Sequence, residues 1–279
     1  MRRIFLKHFV AAVAALAALA TLATALFNLD GIKECGACGA FWAILVVLIS
    51  FGYACWQTRS KKKINLDLSS ELKLTIFEGD LFEQKGIICI PFNEYFDTHV
   101  GDGVVGPNTL HGLFINRFYK DRIEDLNEKI NKKLSCIQEK DTHPRRFKGC
   151  PEKRYELGTC IDIREGENTY VLFALTHFDD NDKANVGRAE YTKVAQKLMQ
   201  YLSDNAEDKP VYMPLFGTGL SRMRRTGQRI LHHLVDTLDF NDDCTIPGGV
   251  HIVIKSLDSM NVNLTALEEI VKNGITKHD

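Results

Sequence analysis

The sequence predicts an α/β protein: two N-terminal transmembrane helices, then a three-layer α/β/α sandwich around a mixed, mostly parallel sheet. Three observations predict it. Residues 1–56 carry only Arg2, Arg3, Lys7, Asp30, Lys33 and Glu34 as formal charges, in a chain of 279 residues with 35 basic and 36 acidic ones. Two long uncharged runs lie inside that segment. From Leu72 onward, short β-branched runs alternate with amphipathic helical stretches, the pattern of strands joined by helical crossovers. A length near 280 fits one or two domains, divided here into a hairpin at 1–60 and a cytosolic domain at 61–279. The near-zero net charge excludes a general nucleic-acid binder, which carries a basic excess. Hydrophobic residues at 45% and charged ones at 25% exclude wholesale disorder.

The first span runs from Phe9 to Leu29 without a charge; as a helix it covers roughly 31 Å, against a hydrocarbon core of roughly 30 Å. Arg2, Arg3 and Lys7 before it, and small residues around Thr21–Ala25, also suit a secretory signal peptide. The second uncharged run, Ala37 to Trp56, follows at once and favours a membrane hairpin. Basic residues flank the outer ends (Arg2, Arg3, Lys7; Arg59, Lys61, Lys62, Lys63) and the connecting loop has only Lys33. The positive-inside rule then puts both termini in the cytoplasm. Ala11 with Ala15, and Ala14 with Ala18, form small-residue faces that allow close helix approach. Cys35 and Cys38 are the one close cysteine pair, open to a disulfide, a redox role or none. No zinc spacing or other metal site is expected.

Asn65 to Ser70 reads as a linker. Leu72, Leu74 and Ile76 alternate with polar residues, as in a strand with one wet face. Ile87–Ile90 is continuously apolar, as in a strand buried on both faces. Asn108 or Thr109 caps a helix carrying Leu110, Leu113 and Phe114, and another follows through Ile123, Leu126 and Ile130. Lys140 to Pro151 is an exposed loop. Strands are expected at Glu156–Ile163, Tyr170–Leu175, Val211–Leu215 and Val250–Lys255. Helices are expected at Gly187–Ser203, from about Ser221 to Asp236, and at Leu264–Lys272.

Chemistry concentrates in two glycine segments. In Val211–Ser221 an apolar strand runs into Gly217-Thr218-Gly219, and Arg222, Arg224, Arg225 and Arg229 follow. Bare backbone N–H groups at such a turn, with a helix N-terminus beyond, cradle a phosphate. No Gly-Lys-Ser/Thr follows, so this is not a Walker A loop. The second segment, Gly101-Asp102-Gly103-Val104-Val105-Gly106, lies after the Ile87–Ile90 strand and would supply the other jaw at the carboxyl ends of the strands. Phe92, Tyr95 and Phe96 are candidates to stack on a base, and Asp97, His99 and His111 are candidate bases. His232 and His233 read as surface or core fillers.

Gly79-Asp80-Leu81-Phe82, Ile87–Asn93, the Gly101–Gly106 loop and Pro214-Leu-Phe-Gly-Thr-Gly219 together resemble, in order and spacing, the macro domain, an ADP-ribose-binding fold. The resemblance implies that Asp80, with Leu81 beside it, binds adenine and that Asn93 lies near the distal ribose. Ile90 departs from the polar first position of the family's four-residue segment that ends at Asn93. The resemblance also implies that Gly101, Asp102, Gly103, Val104 and Gly106 grip the diphosphate with Phe216, Gly217, Thr218, Gly219, Leu220 and Arg222. With the two spans added, and with Pro91–Thr98 and Asn108–Gly112, the chain is similar to the two-transmembrane macro-domain effectors of bacterial type II Thoeris antiphage systems. That implies a TIR-domain partner enzyme making an NAD-derived ADP-ribose conjugate, and a homo-oligomer that disrupts the lipid bilayer on binding it. No cofactor beyond this ligand, no nucleic acid and no catalysis are expected. The alternative is a membrane-tethered ADP-ribosyl hydrolase.

Overall fold

The computed structural model describes residues 2–27, 36–68, 72–142, 149–179, 183–218, 225–240 and 244–275. Its chain forms two compact units, Met1–Lys61 with Asn263–Asp279, and Lys62–Val262. Residues 263–279, grouped with the sheet in the sequence reading, cluster here with the N-terminal helices.

In the first unit, helices α1 (Arg2–Phe27) and α2 (Gly36–Gln57) run antiparallel, with Phe5 packed edge-on against Phe51 at 5.5 Å. The C-terminal helix, Leu264–Ile275, ties to them: His8 Nε2 meets Glu269 Oε1 at 2.9 Å, and Thr265 Oγ1 donates to the Arg59 carbonyl at 2.7 Å. Among the described residues no helix is long and apolar enough to cross a membrane. The expected spans are therefore not shown. Cys35 and the Cys38 side chain lie outside the described residues.

The second unit is built on a mixed sheet. Its strands are β1 (Lys63–Asp67), β2 (Lys73–Glu78), β3 (Ile87–Asn93), β6 (Cys160–Glu165), β7 (Asn168–Phe178), β9 (Val211–Pro214) and β10 (Val250–Ile254), in the order β1-β2-β10-β9-β3-β7-β6. The inner pairs β2–β10, β10–β9, β9–β3 and β3–β7 are parallel. The outer pairs β1–β2 and β6–β7 are antiparallel. A short strand β4 (Asp141–Thr142), inside the expected Lys140–Pro151 loop, pairs with β5 (Lys153–Arg154) just beyond it, and β8 (Ala184–Asn185) pairs with the end of β7.

Ile88 and Cys89 are fully buried, as a central strand covered on both faces requires. One face packs under α3 (Leu110–Phe118) and α4 (Ile123–Leu134), where Phe92, Phe114, Tyr119, Leu126, Ile130 and Tyr170 form one cluster. The other carries α5 (Arg188–Asn205) and α6 (Gly227–Asp239), which bury Tyr191, Leu198, Leu231 and Leu234.

Three sequence expectations need correction. The first half of the expected linker, Asn65–Asp67, belongs to β1, whose Ile64 and Leu66 turn inward while Lys63, Asn65 and Asp67 face out. The strand expected from Glu156 starts at Cys160, because Thr159 N–H closes a turn on the Glu156 carbonyl at 3.0 Å and Gly158 has φ +84°. The helix expected from Ser221 starts at Gly227, with Thr226 as its N-cap. Arg225 is therefore not helical, and residues 219–224 lie outside the described chain.

Candidate functional site

A cleft of about 1010 Å³ opens across the carboxyl ends of β2, β10, β9, β3 and β7. Five strand ends at ~4.8 Å spacing give it a length of roughly 19 Å. Open α/β sheets bind ligands at this edge because loops there diverge and helices begin there.

At the β2 end stands Asp80. It caps a short 3₁₀ turn, and its Oδ1 accepts from Phe82 N–H at 2.8 Å. The buried Leu81 and half-buried Phe82 line the same end. The Arg117 guanidinium lies over the Phe82 ring, 5.6 Å from its centroid. Lys255, one residue past β10, also lines the cleft. Neither Arg117 nor Lys255 is in an ion pair among the described residues. The sequence marks neither as a site residue, and Lys255 only as the end of a strand, since nothing along the chain ties the far end of α3 or the exit of β10 to Asp80.

Over the middle, Pro214 ends β9 and the chain turns at Phe216-Gly217-Thr218. Gly217 has φ +85°, and Thr218 Oγ1 donates to the Leu215 carbonyl at 3.1 Å. Among the described residues the N–H groups of Gly217 and Thr218 have no acceptor, whereas Phe216 N–H is taken by the Pro214 carbonyl. Gly219, Leu220 and Arg222 lie outside the described residues.

The facing wall is the loop before α3. Val104, Val105 and Gly106 line the cleft; Gly101, Asp102 and Gly103 do not. They form a tight outward turn in which Gly101 N–H donates to the Val105 carbonyl and Val104 N–H to the Gly101 carbonyl, each at 2.9 Å. Asp102 meets His99 at 2.9 Å on the surface. Thr109 caps α3 by accepting from Gly112 N–H at 3.1 Å. A Cβ on Gly112 would overlap the Gly106 carbonyl oxygen, so only glycine lets α3 seat against this wall.

At the β3 step, Asn93 lines the cleft, but its carboxamide is occupied locally. Oδ1 accepts from Tyr95 and Asp97 N–H groups at 3.1 and 3.3 Å, and Nδ2 donates to Asp97 Oδ2 at 3.0 Å. Tyr95 and Phe96 are buried and do not line the cleft; Phe96 holds φ +53° inside the Asn93–Asp97 turn. Phe92 does line it, with the His111 ring 3.5 Å from its own. The ring that flanks Asp80 is Phe82, outside the expected aromatic set. His111 Nε2 donates to the Asp97 carbonyl at 2.7 Å, and burial pushes its imidazolium down to about 3.

Just behind the site, Glu94 is buried. Burial raises its carboxyl above the usual range, against the Phe178 N–H it accepts at 3.0 Å and the nearby Arg154. Thr176 and Phe178 close the far end of the cleft at β7.

The family described as Thoeris protein ThsA, Macro domain, matches residues 74–255. Among curated proteins, Thoeris protein ThsA of Bacillus amyloliquefaciens (strain Y2) is 29% identical over 219 residues, covering 76% of this chain and 72% of that protein. Among solved structures, the Oceanobacillus iheyensis macrodomain with ADP gives a TM-score of 0.52 at 10% identity, covering 76% of this chain and 97% of that one. A variant of that macrodomain with ADPR gives 0.51 at 12% identity, covering 75% and 99%. At such identities the structures establish the fold alone.

Proposed function

The chain belongs to the Thoeris ThsA macro-domain family, and from that premise we propose that it is a receptor for an ADP-ribose-type ligand in an antiphage response. The observation that carries this is the cleft, whose lining brings together Asp80, the Gly217–Thr218 turn, whose N–H groups have no acceptor among the described residues, and the Val104–Gly106 wall. In this reading adenine sits against Asp80, Leu81 and the Phe82–Arg117 stack. The diphosphate lies under Gly217 and Thr218, and the distal ribose reaches past β9 towards β3 and β7. Bare N–H groups at a tight glycine turn favour phosphate.

The ligand is an NAD-derived ADP-ribose conjugate supplied by a TIR-domain partner enzyme. The first unit holds the chain at a lipid bilayer, a reading supported by the exposed Leu6, Val10, Phe41, Trp42, Ile44 and Leu48. Ligand then shifts an assembly equilibrium by its differential affinity for the two states, and oligomers disrupt the membrane. Binding without turnover is favoured by Asn93, whose amide is committed to its own turn, and by His111, too weak a base near neutral pH.

The test uses full-length protein in detergent. ADP-ribose raises its melting temperature, and chromatography recovers the ligand unchanged; consumption of the ligand would instead make it a hydrolase. Asp80→Ala weakens binding by about 1–3 kcal/mol, the range for one charged hydrogen bond, and an inosine analogue binds the wild type poorly. Failure of every adenine nucleotide to stabilise the protein overturns the receptor reading. A reporter fused after Asp279 reads cytoplasmic; a periplasmic signal sinks the hairpin.

A further inference from the structure

His111 is 7% exposed, and what remains open faces the cleft. Its Nε2 lies 2.7 Å from the Asp97 carbonyl oxygen. A carbonyl only accepts, so Nε2 carries the hydrogen. A neutral imidazole has one N–H, which leaves Nδ1 as a bare acceptor. Neutrality is secured by burial, which holds the imidazolium at about 3. No described residue donates to Nδ1. Nδ1 is not among the buried unpartnered atoms of the described residues, so it opens on the cleft, where water or a bound ligand supplies the donor.

Its position fixes what that is. In the order β2-β10-β9-β3-β7, Asp80 follows β2 and Gly217 follows β9. His111 packs on Phe92 of β3, one strand beyond the glycine turn and on the side away from Asp80. A nucleotide with its base at Asp80 and its phosphates at Gly217 brings the next group along the chain to His111. We infer that His111 is a specificity-determining residue, its Nδ1 accepting a hydrogen bond from a hydroxyl of the sugar beyond the diphosphate. The inference rests on the receptor reading and deepens it: His111 separates diphosphate-linked sugars from plain nucleoside diphosphates.

The experiment is calorimetry of the full-length protein in detergent with ADP-ribose and with ADP. Wild type binds ADP-ribose more tightly, and His111→Phe loses about tenfold for ADP-ribose, roughly one good hydrogen bond. Its ADP affinity stays within about twofold. Two further variants separate the two nitrogens. His111→Asn puts an amide oxygen near the Nδ1 position and recovers part of the preference. His111→Gln reaches the Nε2 position, restores only the link to Asp97 and does not recover it. The ¹⁵N resonance of Nδ1 moves on adding ADP-ribose and stays put with ADP. Rescue by Gln and not Asn, or an unchanged ADP-ribose to ADP ratio in His111→Phe, overturns the assignment while leaving the receptor reading intact. If wild type binds neither nucleotide, both fall.

Discussion

The two glycine segments look alike in sequence and do different work in the fold. At Gly101–Gly106 the glycines build a turn that spends part of its backbone on itself: the Gly101 and Val104 N–H groups donate to the Val105 and Gly101 carbonyls, while among the described residues the Val105 and Gly106 N–H groups, which border the cleft, have no acceptor. What this jaw offers the cleft is a wall and the side chains of the helix behind it, His111 and Arg117. At Gly217–Thr218 the backbone itself is offered, with N–H groups unspent among the described residues. Glycine in the first jaw serves turning and packing; in the second it serves close approach. Counting glycines does not separate these uses, whereas placing each one against the cleft does: Gly217 borders it, and Gly101 and Gly103 turn away from it.

The largest effect expected from that contrast is at Gly217. Gly217→Glu puts bulk and negative charge where phosphate would lie, at a backbone with φ +85°, and ADP-ribose binding disappears in calorimetry. Gly103→Ala, at φ +81° in the outward turn, costs about 1 kcal/mol of stability and leaves affinity unchanged. Equal losses of binding at both positions would erase the distinction between the jaws.

Gly112 tests the packing half of the claim. Gly112→Ala forces α3 off the Gly106 carbonyl, and overpacking of this kind costs about 1–3 kcal/mol. Chemical denaturation reads the loss. Because the wall shifts, ADP-ribose affinity falls with it; a variant as stable as wild type would mean the helix does not set the wall.

His111 adds a pH signature to the side-chain jaw. Its folded pKa is about 3, while an unfolded histidine titrates near 6.5. Between those values the unfolded chain takes up a proton and the folded one does not. Stability is therefore whole above about pH 6.5 and falls as pH drops towards 3, by up to about 1.4 kcal/mol per unit. Glu94, raised by burial, acts in the opposite sense: its contribution is present at low pH and lost as pH rises through its folded pKa. Denaturing wild type and His111→Phe at pH 7.5 and 5.5 cancels the Glu94 part. The variant shows a slope smaller by about 1.4 kcal/mol over that interval; identical slopes would mean His111 is charged in the fold.

Much of this was legible along the chain. Ile87–Ile90 declared a central strand by lacking any polar position, and Thr109 declared a helix start. Gly217 could be found because a glycine turn follows the apolar Val211–Leu215 run, and Asp80 because Gly79–Phe82 resembles the macro-domain segment after the first strand. β1 was missed because its inward pair, Ile64 and Leu66, is set among Lys63, Asn65 and Asp67 and passes for polar linker. Asn93 was legible as a site position but not as a turn residue, since its bonds to Tyr95 and Asp97 depend on how β3 ends. Arg117 was invisible for a different reason: its meeting with Phe82 spans two elements and depends on how α3 lies over the sheet.

Arg117 is also where the smallest effect of the side-chain jaw is expected. Its guanidinium lies over Phe82 and Phe118, at 5.6 and 5.8 Å from their centroids, and is in no ion pair among the described residues. Over an exposed ring such a contact is worth about 0.5–1 kcal/mol. Its second contribution is charge, because a cation on the cleft wall draws in an anionic nucleotide from a distance that salt shortens. Arg117→Ala therefore loses about 1 kcal/mol of ADP-ribose affinity at low ionic strength and less at high. Arg117→Lys keeps the salt dependence but not the flat stack on Phe82, since an ammonium has no plane to lay on a ring. Calorimetry of the three proteins at two salt concentrations separates the terms. If alanine and lysine behave alike at both, Arg117 contributes only its stack. If neither differs from wild type, the jaw reads its ligand from the α3 end that carries His111, and Arg117 only covers Phe82.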